Sequence, residues 1–295
     1  MDSQYKKKNR IYGVIIFAVF AVLLILISQK QSNTDWFDSS QRIGVLPLEG
    51  EINSSRNWIA RLNKFEKSKH IAGILIPINS PGGQVAPSQE LYHAIRNVRE
   101  NSVKPIFVSF ASVAASGGYY AALGADSIFA NEGSLTGSIG VVMQFPLYSE
   151  LMEKVGVEMR TVKSQDFKDA GSPFRMMTPA EEDYFTEIIT DVYEQFTEVV
   201  SQERGIDELN MQSLGDGRIF TGRQAYQANL VDALGTFEDA RKALCIEAGI
   251  ATDSRLEYPA EPRKSWWTVI RDDVAAVIPG WESSSSIKLQ YRIPY

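Results

Sequence analysis

Two hydrophobic periods alternate along the middle of the chain. Continuous apolar runs at residues 71–78 and 105–110 are typical of strands buried on both faces of a sheet. Each run leads through a turn into helical spacing, which covers residues 88–100 after the first run and begins at Ser116 after the second. This alternation predicts an α/β fold with a largely parallel sheet, in which the loops after the carboxyl ends of the strands form the binding crevice.

The same patterns predict elements on either side of this centre. Residues 42–52 and 158–162 are predicted as strands, the second at a sheet edge, and residues 163–175 as a polar loop. Helices are predicted at residues 57–67, 147–155, 178–204, 206–214, 222–228 and 237–248. The run Thr178-Pro179-Ala180-Glu181 is a helix start signal for the longest of them.

The amino end predicts a membrane anchor. Residues 11–28 carry no charge, and their 18 positions approach the length of a spanning helix. Lys6, Lys7, Lys8 and Arg10 precede the run, so residues 1–10 are expected to stay in the cytoplasm and the rest of the chain to be exported. A cleaved signal peptide is the alternative, but no Ala-x-Ala site follows the run.

This interpretation divides the remaining chain into three parts. Residues 29–41 are a polar linker, residues 42–250 a catalytic domain, and residues 251–295 a tail. The tail contains an amphipathic stretch that is expected to dock on the protein, on a neighbouring subunit or on the membrane face.

Composition excludes several classes of function and site. The net charge of −6 provides no basic field for nucleic acid. Cys245 is the only cysteine, which excludes an intrachain disulfide and a cysteine-based zinc site. The only histidines are His70 and His93.

Ser116 is the candidate nucleophile. It follows the apolar run at 105–110 and precedes Gly117 and Gly118, and a serine at a strand-to-helix turn can expose its Oγ beside the N–H groups of the helix start. An ordinary turn is the alternative. Gly83, in the turn after the run at 71–78, could make an oxyanion hole with the N–H of Ser116 or Gly117.

A serine nucleophile needs a base within hydrogen-bond reach. His70 precedes the strand at 71–78 at its amino end, and His93 lies about two turns into the following helix, so a Ser-His-Asp triad is disfavoured. Lys168 is the remaining candidate, provided that apolar neighbours such as Phe167 and Phe174 lower the pKa of its amine. Ser138 could orient that amine. Alternatively, Lys168 is a solvated loop residue and Ser138 satisfies turn amides.

The chain resembles the signal peptide peptidase A family, whose members are membrane-anchored Ser-Lys peptidases of the Clp protease/crotonase superfamily. The motifs that carry the resemblance are Ser80-Pro81-Gly82-Gly83, Ala115-Ser116-Gly117-Gly118-Tyr119-Tyr120, Thr136-Gly137-Ser138-Ile139-Gly140, Phe167-Lys168-Asp169-Ala170-Gly171-Ser172-Pro173 and Gly217-Arg218-Ile219-Phe220-Thr221-Gly222. The resemblance implies that Ser116 is the nucleophile, Lys168 the general base and Ser138 its orienting hydroxyl. It also implies an oxyanion hole made by the amides of Gly83 and of Ser116 or Gly117.

The resemblance further implies a Clp protease/crotonase-like fold and activity on signal-peptide remnants and other short hydrophobic peptides, without a metal or cofactor. Short members of the family form homo-oligomeric rings in which the lysine reaches the serine of an adjacent protomer. A plasma-membrane location follows, with the catalytic domain in the periplasm or outside the cell.

Three alternatives remain at this point. A crotonase-like acyl-CoA enzyme would use the same glycine turns to polarise a thioester and would not need Ser116. A catalytically silent membrane scaffold would keep the fold and the oligomer. A peptidase that cuts a folded membrane-protein partner would differ from the main hypothesis in its dependence on peptide length.

Overall fold

The structure is a computed structural model that describes residues 41–260 and 289–292. The membrane span predicted at residues 11–28 and the amphipathic stretch of the tail lie outside the described residues. Within the described ranges, every helix is too short or too polar to cross a bilayer.

The centre of the fold is a mostly parallel sheet, as predicted. Its strands are β1 (Arg42–Val45), β2 (Leu48–Glu49), β3 (Ile71–Ser80), β5 (Ile106–Ala115), β6 (Ser127–Ala130), β7 (Leu135–Gly137), β9 (Ile219–Thr221), β10 (Ala233–Leu234) and β11 (Leu256–Glu257). The main path of the sheet runs β10-β6-β5-β3-β1-β11, and each neighbouring pair on this path is parallel. Three consecutive β3 residues, Ile74, Leu75 and Ile76, are fully buried, because a central parallel strand is covered on both faces.

Helices cover both faces of this sheet. They are α1 (Arg56–Lys67), α2 (Val85–Asn101), α3 (Gly117–Ala122), α4 (Ser149–Lys154), α5 (Pro179–Arg204), α6 (Glu208–Leu214), α7 (Gly222–Gln227) and α8 (Phe237–Glu247). The larger core cluster joins one face to α1, α2, α3 and α5. On the other face, Leu244 and Cys245 of α8 pack against Ile43 and Leu75.

The longest helix begins where its start signal predicts. Thr178 caps α5: its Oγ accepts a hydrogen bond from the Glu181 N–H, and the Glu181 carboxylate accepts one from the Thr178 N–H. Pro179 occupies the first turn, where a missing N–H costs nothing, and Gly205 ends the helix in the left-handed conformation.

A second, smaller sheet lies beside the first. It is antiparallel and contains β4 (Gly82–Gln84), β12 (Leu289–Arg292) and β8 (Val142–Met143), with β12 in the middle. β12 belongs to the segment beyond residue 251, as does β11, which pairs with β1 at the edge of the main sheet. The tail therefore contributes a strand to each sheet.

The prediction of an edge strand at residues 158–162 is wrong. These residues have no regular structure, their side chains are exposed, and they pair with no strand in the described part of the chain. A strand obtains its hydrogen bonds from a neighbour, so an alternating pattern that reaches no sheet edge stays irregular.

Candidate active site

Ser116 lies at the turn between β5 and α3 in a strained backbone conformation. Its φ of 53° and ψ of −117° are rare for a residue with a side chain, and strain of this kind is concentrated at functional sites. The Ser116 N–H donates to the Gly137 carbonyl at 2.8 Å, which fixes the turn. The side chain is fully buried, and its Oγ has no hydrogen-bond partner among the described residues. The hydroxyl is thus held in place by the backbone and remains chemically available.

The two glycine turns that were predicted separately meet at this serine. A Cβ on Gly117 would overlap the Ser88 hydroxyl and lie 3.2 Å from the Gly83 nitrogen. A Cβ on Gly118 would lie 3.0 Å from the Ser80 carbonyl oxygen. The start of α3 packs so closely on the β3–β4 turn that a Cβ at either glycine would force the neighbouring atoms to shift.

The amide of Gly83 faces away from the strand segment at Ile52. The Ile52 N–H donates to the Gly82 carbonyl at 2.9 Å, and the Gln84 N–H donates to the Ile52 carbonyl at 2.8 Å. Backbone groups alternate in direction along a strand, so the Gly83 N–H points to the opposite side, towards β12.

The second amide at the site belongs to Gly117. As the first residue of α3, Gly117 has an N–H that no carbonyl within the helix can accept. The Ser116 N–H is already bonded to Gly137, so of the two amides considered from sequence, that of Gly117 is the one placed to act with Gly83. Two such donors beside a serine can stabilise the oxyanion of an acyl-transfer reaction.

Ser138 lies on the backbone segment next to Ser116. It directly follows Gly137, whose carbonyl binds the Ser116 N–H, and its own N–H donates to the Arg218 carbonyl at 2.8 Å. Ser138 is buried and has a φ of 50°. It lines a cavity of about 480 Å³ that opens between β8, α5 and Arg292.

Lys168 is brought to the surface, away from the Ser116 hydroxyl. It lies in a single 3₁₀ turn, Asp166–Asp169, and is exposed. Since the Ser116 Oγ has no partner in the described chain, the Lys168 amine is not within hydrogen-bond distance of it. His70 and His93 are also exposed, His70 beyond the amino end of β3 and His93 on α2. A single copy of the chain thus brings Ser116, Ser138, Gly83 and Gly117 together, without Lys168.

A charge network ties the Lys168 turn to the start of α5. The Arg175 guanidinium binds Asp169 at 2.8 Å and Glu181 at 2.8 Å, and Lys163 binds Asp169 at 2.7 Å. These hydrogen bonds, chiefly those from Arg175, hold the pKa of Asp169 well below its usual range and lower the pKa of Glu181 to about 2. Arg175 therefore fixes the residue next to Lys168 onto the folded core.

Arg175→Gln is expected to destabilise the protein at neutral pH but not in strong acid. Carboxyl groups with lowered pKa values stabilise the folded state above their unfolded pKa of about 4, and this contribution is lost as the pH falls towards 2. Urea unfolding followed by circular dichroism should thus give a lower free energy of unfolding for the variant than for wild type at pH 6. This difference should disappear between about pH 4.5 and pH 2. Replacing the exposed Arg160 by glutamine is the control. A difference in the free energy of unfolding that did not depend on pH would contradict a stabilising role for the Arg175 ion pairs.

The site also contains a segment that the sequence patterns left unassigned. β12 lies between β4 and β8, with Tyr291 opposite Gly83, and a Cβ on Gly82 would overlap the Tyr291 carbonyl oxygen. The groove beside Ser116 thus holds an extended backbone. The alternation of apolar and polar residues from Leu289 to Arg292 is the signal that could have predicted this strand.

Comparison with known proteins connects this geometry to a family. The sequence pattern of peptidase family S49 matches residues 99–251, and that of Clp protease matches residues 28–128. A Methanocaldococcus jannaschii protein named as a protease is 32% identical over 86% of each chain. An Enterococcus faecium protein named as a signal peptide peptidase SppA is 36% identical over 73% of this chain and 64% of its own. A Synechocystis protein named as a protease is 38% identical over 72% and 76%.

Proposed function

This chain belongs to peptidase family S49 and is an SppA-like serine peptidase, and we propose that it degrades cleaved signal peptides and other short hydrophobic peptides with Ser116 as nucleophile. The observation that carries the proposal is the buried, strained Ser116, whose hydroxyl has no hydrogen-bond partner within residues 41–260 and 289–292 and lies beside the amides of Gly83 and Gly117. A groove that already accommodates an extended strand supports peptides as the substrate class.

In the proposed reaction, a substrate strand pairs with β4, and the carbonyl of the bond to be cut faces the Gly83 and Gly117 amides. The Ser116 Oγ attacks the carbonyl carbon as its proton passes to a base, and the amides stabilise the oxyanion that forms. The amine product leaves with that proton, and water then hydrolyses the acyl ester on Ser116.

Lys168 of a second copy is the proposed base. Lys168 is exposed in its own chain, and an open cavity that a side chain from outside could enter is lined by Ser138, the residue after the Gly137 carbonyl that binds the Ser116 N–H. Entry into this buried site would remove water from the amine and favour its neutral, basic form, and the Ser138 hydroxyl would orient it.

An apolar surface around the Lys168 turn supports a homo-oligomer. Its members are large side chains exposed on and after α4 and around the loop: Leu151, Val155, Val157, Met159, Val162, Phe174 and Met176. Large apolar side chains exposed so densely along one segment point to an interaction site. We assign this surface to a second copy of the chain, because the same segment carries Lys168, the base that is missing beside Ser116 within one copy. A head-to-tail contact of this kind gives a ring if the rotation closes.

A membrane location is part of the proposal. The uncharged run at residues 11–28, preceded by basic residues, is the observation that supports an anchor with a cytoplasmic amino end and a periplasmic or extracellular catalytic domain. An anchored peptidase would meet signal-peptide remnants where they are left, in the membrane.

The full-length protein in detergent tests the substrate class. An internally quenched apolar peptide of signal-peptide length should be cut at least about tenfold faster than the same sequence inside a folded domain, because the groove pairs only with extended backbone. Chromatographic separation of the fragments measures both rates. Equal rates would favour a folded partner as substrate.

Two other results would contradict the proposed function and favour an alternative one. A wild-type protein inert on several peptides would favour a membrane scaffold, and saturable binding of an acyl-CoA would favour crotonase-like chemistry.

A further inference from the structure

The outer side of α1 carries positive charge. The apolar side chains of α1 face the core, and with about 3.6 residues per turn the opposite side carries Arg56, Lys64 and Lys67. These three residues are exposed, as are the uncharged Ala60 and Asn63 that lie among them on the same side. A cavity of about 430 Å³ opens there, with Asn63, Lys64 and Lys67 in its lining. α1 therefore presents basic groups to the outside along its whole length.

Two further residues extend this charge. Arg61 lines a second cavity, of about 470 Å³, together with Lys64, and Lys69 is exposed in the turn between α1 and β3. Residues 56–70 thus contain five arginines and lysines and one acidic residue, Glu66, although the whole chain has a net charge of −6. In the described part of the chain, none of the five is in an ion pair. The basic surface consists of these five residues: Arg56, Arg61, Lys64, Lys67 and Lys69.

Local helix stability explains only part of the basic surface. Lys64 and Lys67 lie in the last turn of α1, where positive charge interacts favourably with the helix dipole. Arg56 lies in the first turn, where the dipole disfavours positive charge, and that turn contains no acidic residue. The placement of Arg56 therefore points to an anionic partner outside the helix.

The basic surface is too long for a small anion. Arg56 and Lys67 are the first and last residues of α1, which places them roughly 16 Å apart along the helix axis at about 1.5 Å per residue. A free phosphate can contact only one end of this length. The headgroups of a lipid bilayer form a continuous anionic layer, so they can contact both ends at once.

The position of α1 brings the basic surface close to the membrane in an anchored chain. The carboxyl end of α1 leads to His70, whose carbonyl accepts a hydrogen bond from the Arg42 N–H at the start of β1. Residues 29–41, between the predicted span and Arg42, can cover roughly 45 Å at most, at about 3.5 Å per residue. The amino end of α1 follows Ile52, which pairs with Gly83 at the active site. The basic surface thus extends from the active site to the end of the domain that the linker joins.

We propose that the basic surface docks on the anionic headgroups of the membrane in which the chain is anchored. Each lysine or arginine close to such a layer strengthens the attraction by about fivefold, and dissolved ions screen it. Docking holds the Gly83 side of the domain beside the bilayer, where peptides left in the membrane can reach the groove. The proposal rests on the proposed function for the anchor and for the location of the substrate.

Amine labelling of the full chain in lipid nanodiscs tests the contact. Wild type is inserted into discs of phosphatidylcholine, with or without about one third phosphatidylglycerol, and mass spectrometry measures the acetylation rate of each lysine. Lys64, Lys67 and Lys69 should react at least about fivefold more slowly on the anionic discs, and about 0.5 M salt should abolish the difference. Lys242 is exposed on α8, at the other face of the sheet, and as the internal control it should react equally on both discs.

Substitution separates the basic surface from the rest of the domain. In Arg56→Gln/Arg61→Gln/Lys64→Gln, the two remaining lysines of the basic surface should react equally fast on both kinds of disc, whereas Lys242→Gln should keep their protection. Hydrolysis of a quenched peptide embedded in anionic discs, relative to hydrolysis of a soluble one in detergent, should be several-fold lower for the triple variant than for wild type. A soluble peptide reaches the groove without docking, so its hydrolysis measures the proposed function independently.

The outcomes distinguish the docking from the peptidase activity. Equal labelling of the basic surface on both discs, with wild type active on the soluble peptide, overturns the docking and leaves the proposed function standing. Slow labelling on both discs would mean that a neighbouring copy covers the surface and would also overturn the docking. A chain that enters neither disc overturns the anchor and the docking together. A wild type inert on the soluble peptide overturns the peptidase function, whatever the labelling shows.

Discussion

Ser116→Ala is expected to lower kcat/KM for peptide hydrolysis by about 10⁴-fold or more, since loss of a nucleophile leaves only the contribution of the oxyanion hole and substrate binding. The fold should survive. Alanine meets the same backbone strain as serine at a φ of 53°, and the change removes a buried hydroxyl that has no hydrogen-bond partner in the described structure. The free energy of unfolding should therefore stay equal to that of wild type or rise slightly.

Steady-state kinetics on a quenched peptide, together with urea unfolding, measures both effects. Ser213→Ala is the matched control, because Ser213 is an exposed serine on α6 whose hydroxyl donates to the Asn210 carbonyl of its own helix. If the variant kept more than about a hundredth of wild-type activity, another nucleophile would have to act.

Lys168→Ala is expected to cause a loss of similar size that a second inactive variant can repair. If the base comes from a neighbouring copy, Ser116→Ala subunits supply the lysine and Lys168→Ala subunits supply the serine. Random co-assembly of equal amounts of the two should restore about a quarter of wild-type activity, because half of the sites receive an intact serine and half of those an intact lysine. Co-expression with two affinity tags and tandem purification isolates the mixed assembly.

The controls separate charge from basicity. Lys168→Arg keeps the positive charge but cannot lose its proton near neutral pH, so it should be as inactive as the alanine variant. Lys67→Ala removes an exposed lysine from α1, a helix that carries none of the apolar surface residues, and should leave activity unchanged. If neither variant of Lys168 loses activity, the base lies elsewhere. If mixed assemblies stay inactive, each lysine serves the serine of its own chain.

The candidate site could be predicted from sequence as a set of residues but not as an arrangement. Gly83 and Ser116 each follow a buried parallel strand, and the carboxyl ends of such strands share one edge of a sheet, so their proximity follows from periodicity and topology. Whether Ser116 or Gly117 supplies the second amide does not follow. That choice depends on the hydrogen bond from the Ser116 N–H to the Gly137 carbonyl. No nearby sequence pattern predicts that the segment containing Gly137 pairs with the strand before Ser116.

Prediction of strands from the pattern of apolar and polar residues was also wrong in two places, for the same reason. Residues 158–162 alternate like a strand but reach no partner strand in the described part of the chain, whereas the segment after residue 251 is interpreted from sequence as a tail, yet two parts of it pair with sheets. A side-chain pattern describes which faces are apolar. It does not say whether another backbone lies within hydrogen-bonding distance.

The sequence by itself determined the elements whose stability is local or follows from burial of a continuous run. These include the capping box of Thr178 and Glu181 at the start of α5 and the buried strand around Ile74 to Ile76. Only the tertiary structure decided which groups meet at Ser116. Contacts such as that between the Tyr291 hydroxyl and the Val192 carbonyl join residues 99 positions apart, and such contacts depend on how the whole chain packs, which the neighbours of either residue do not specify.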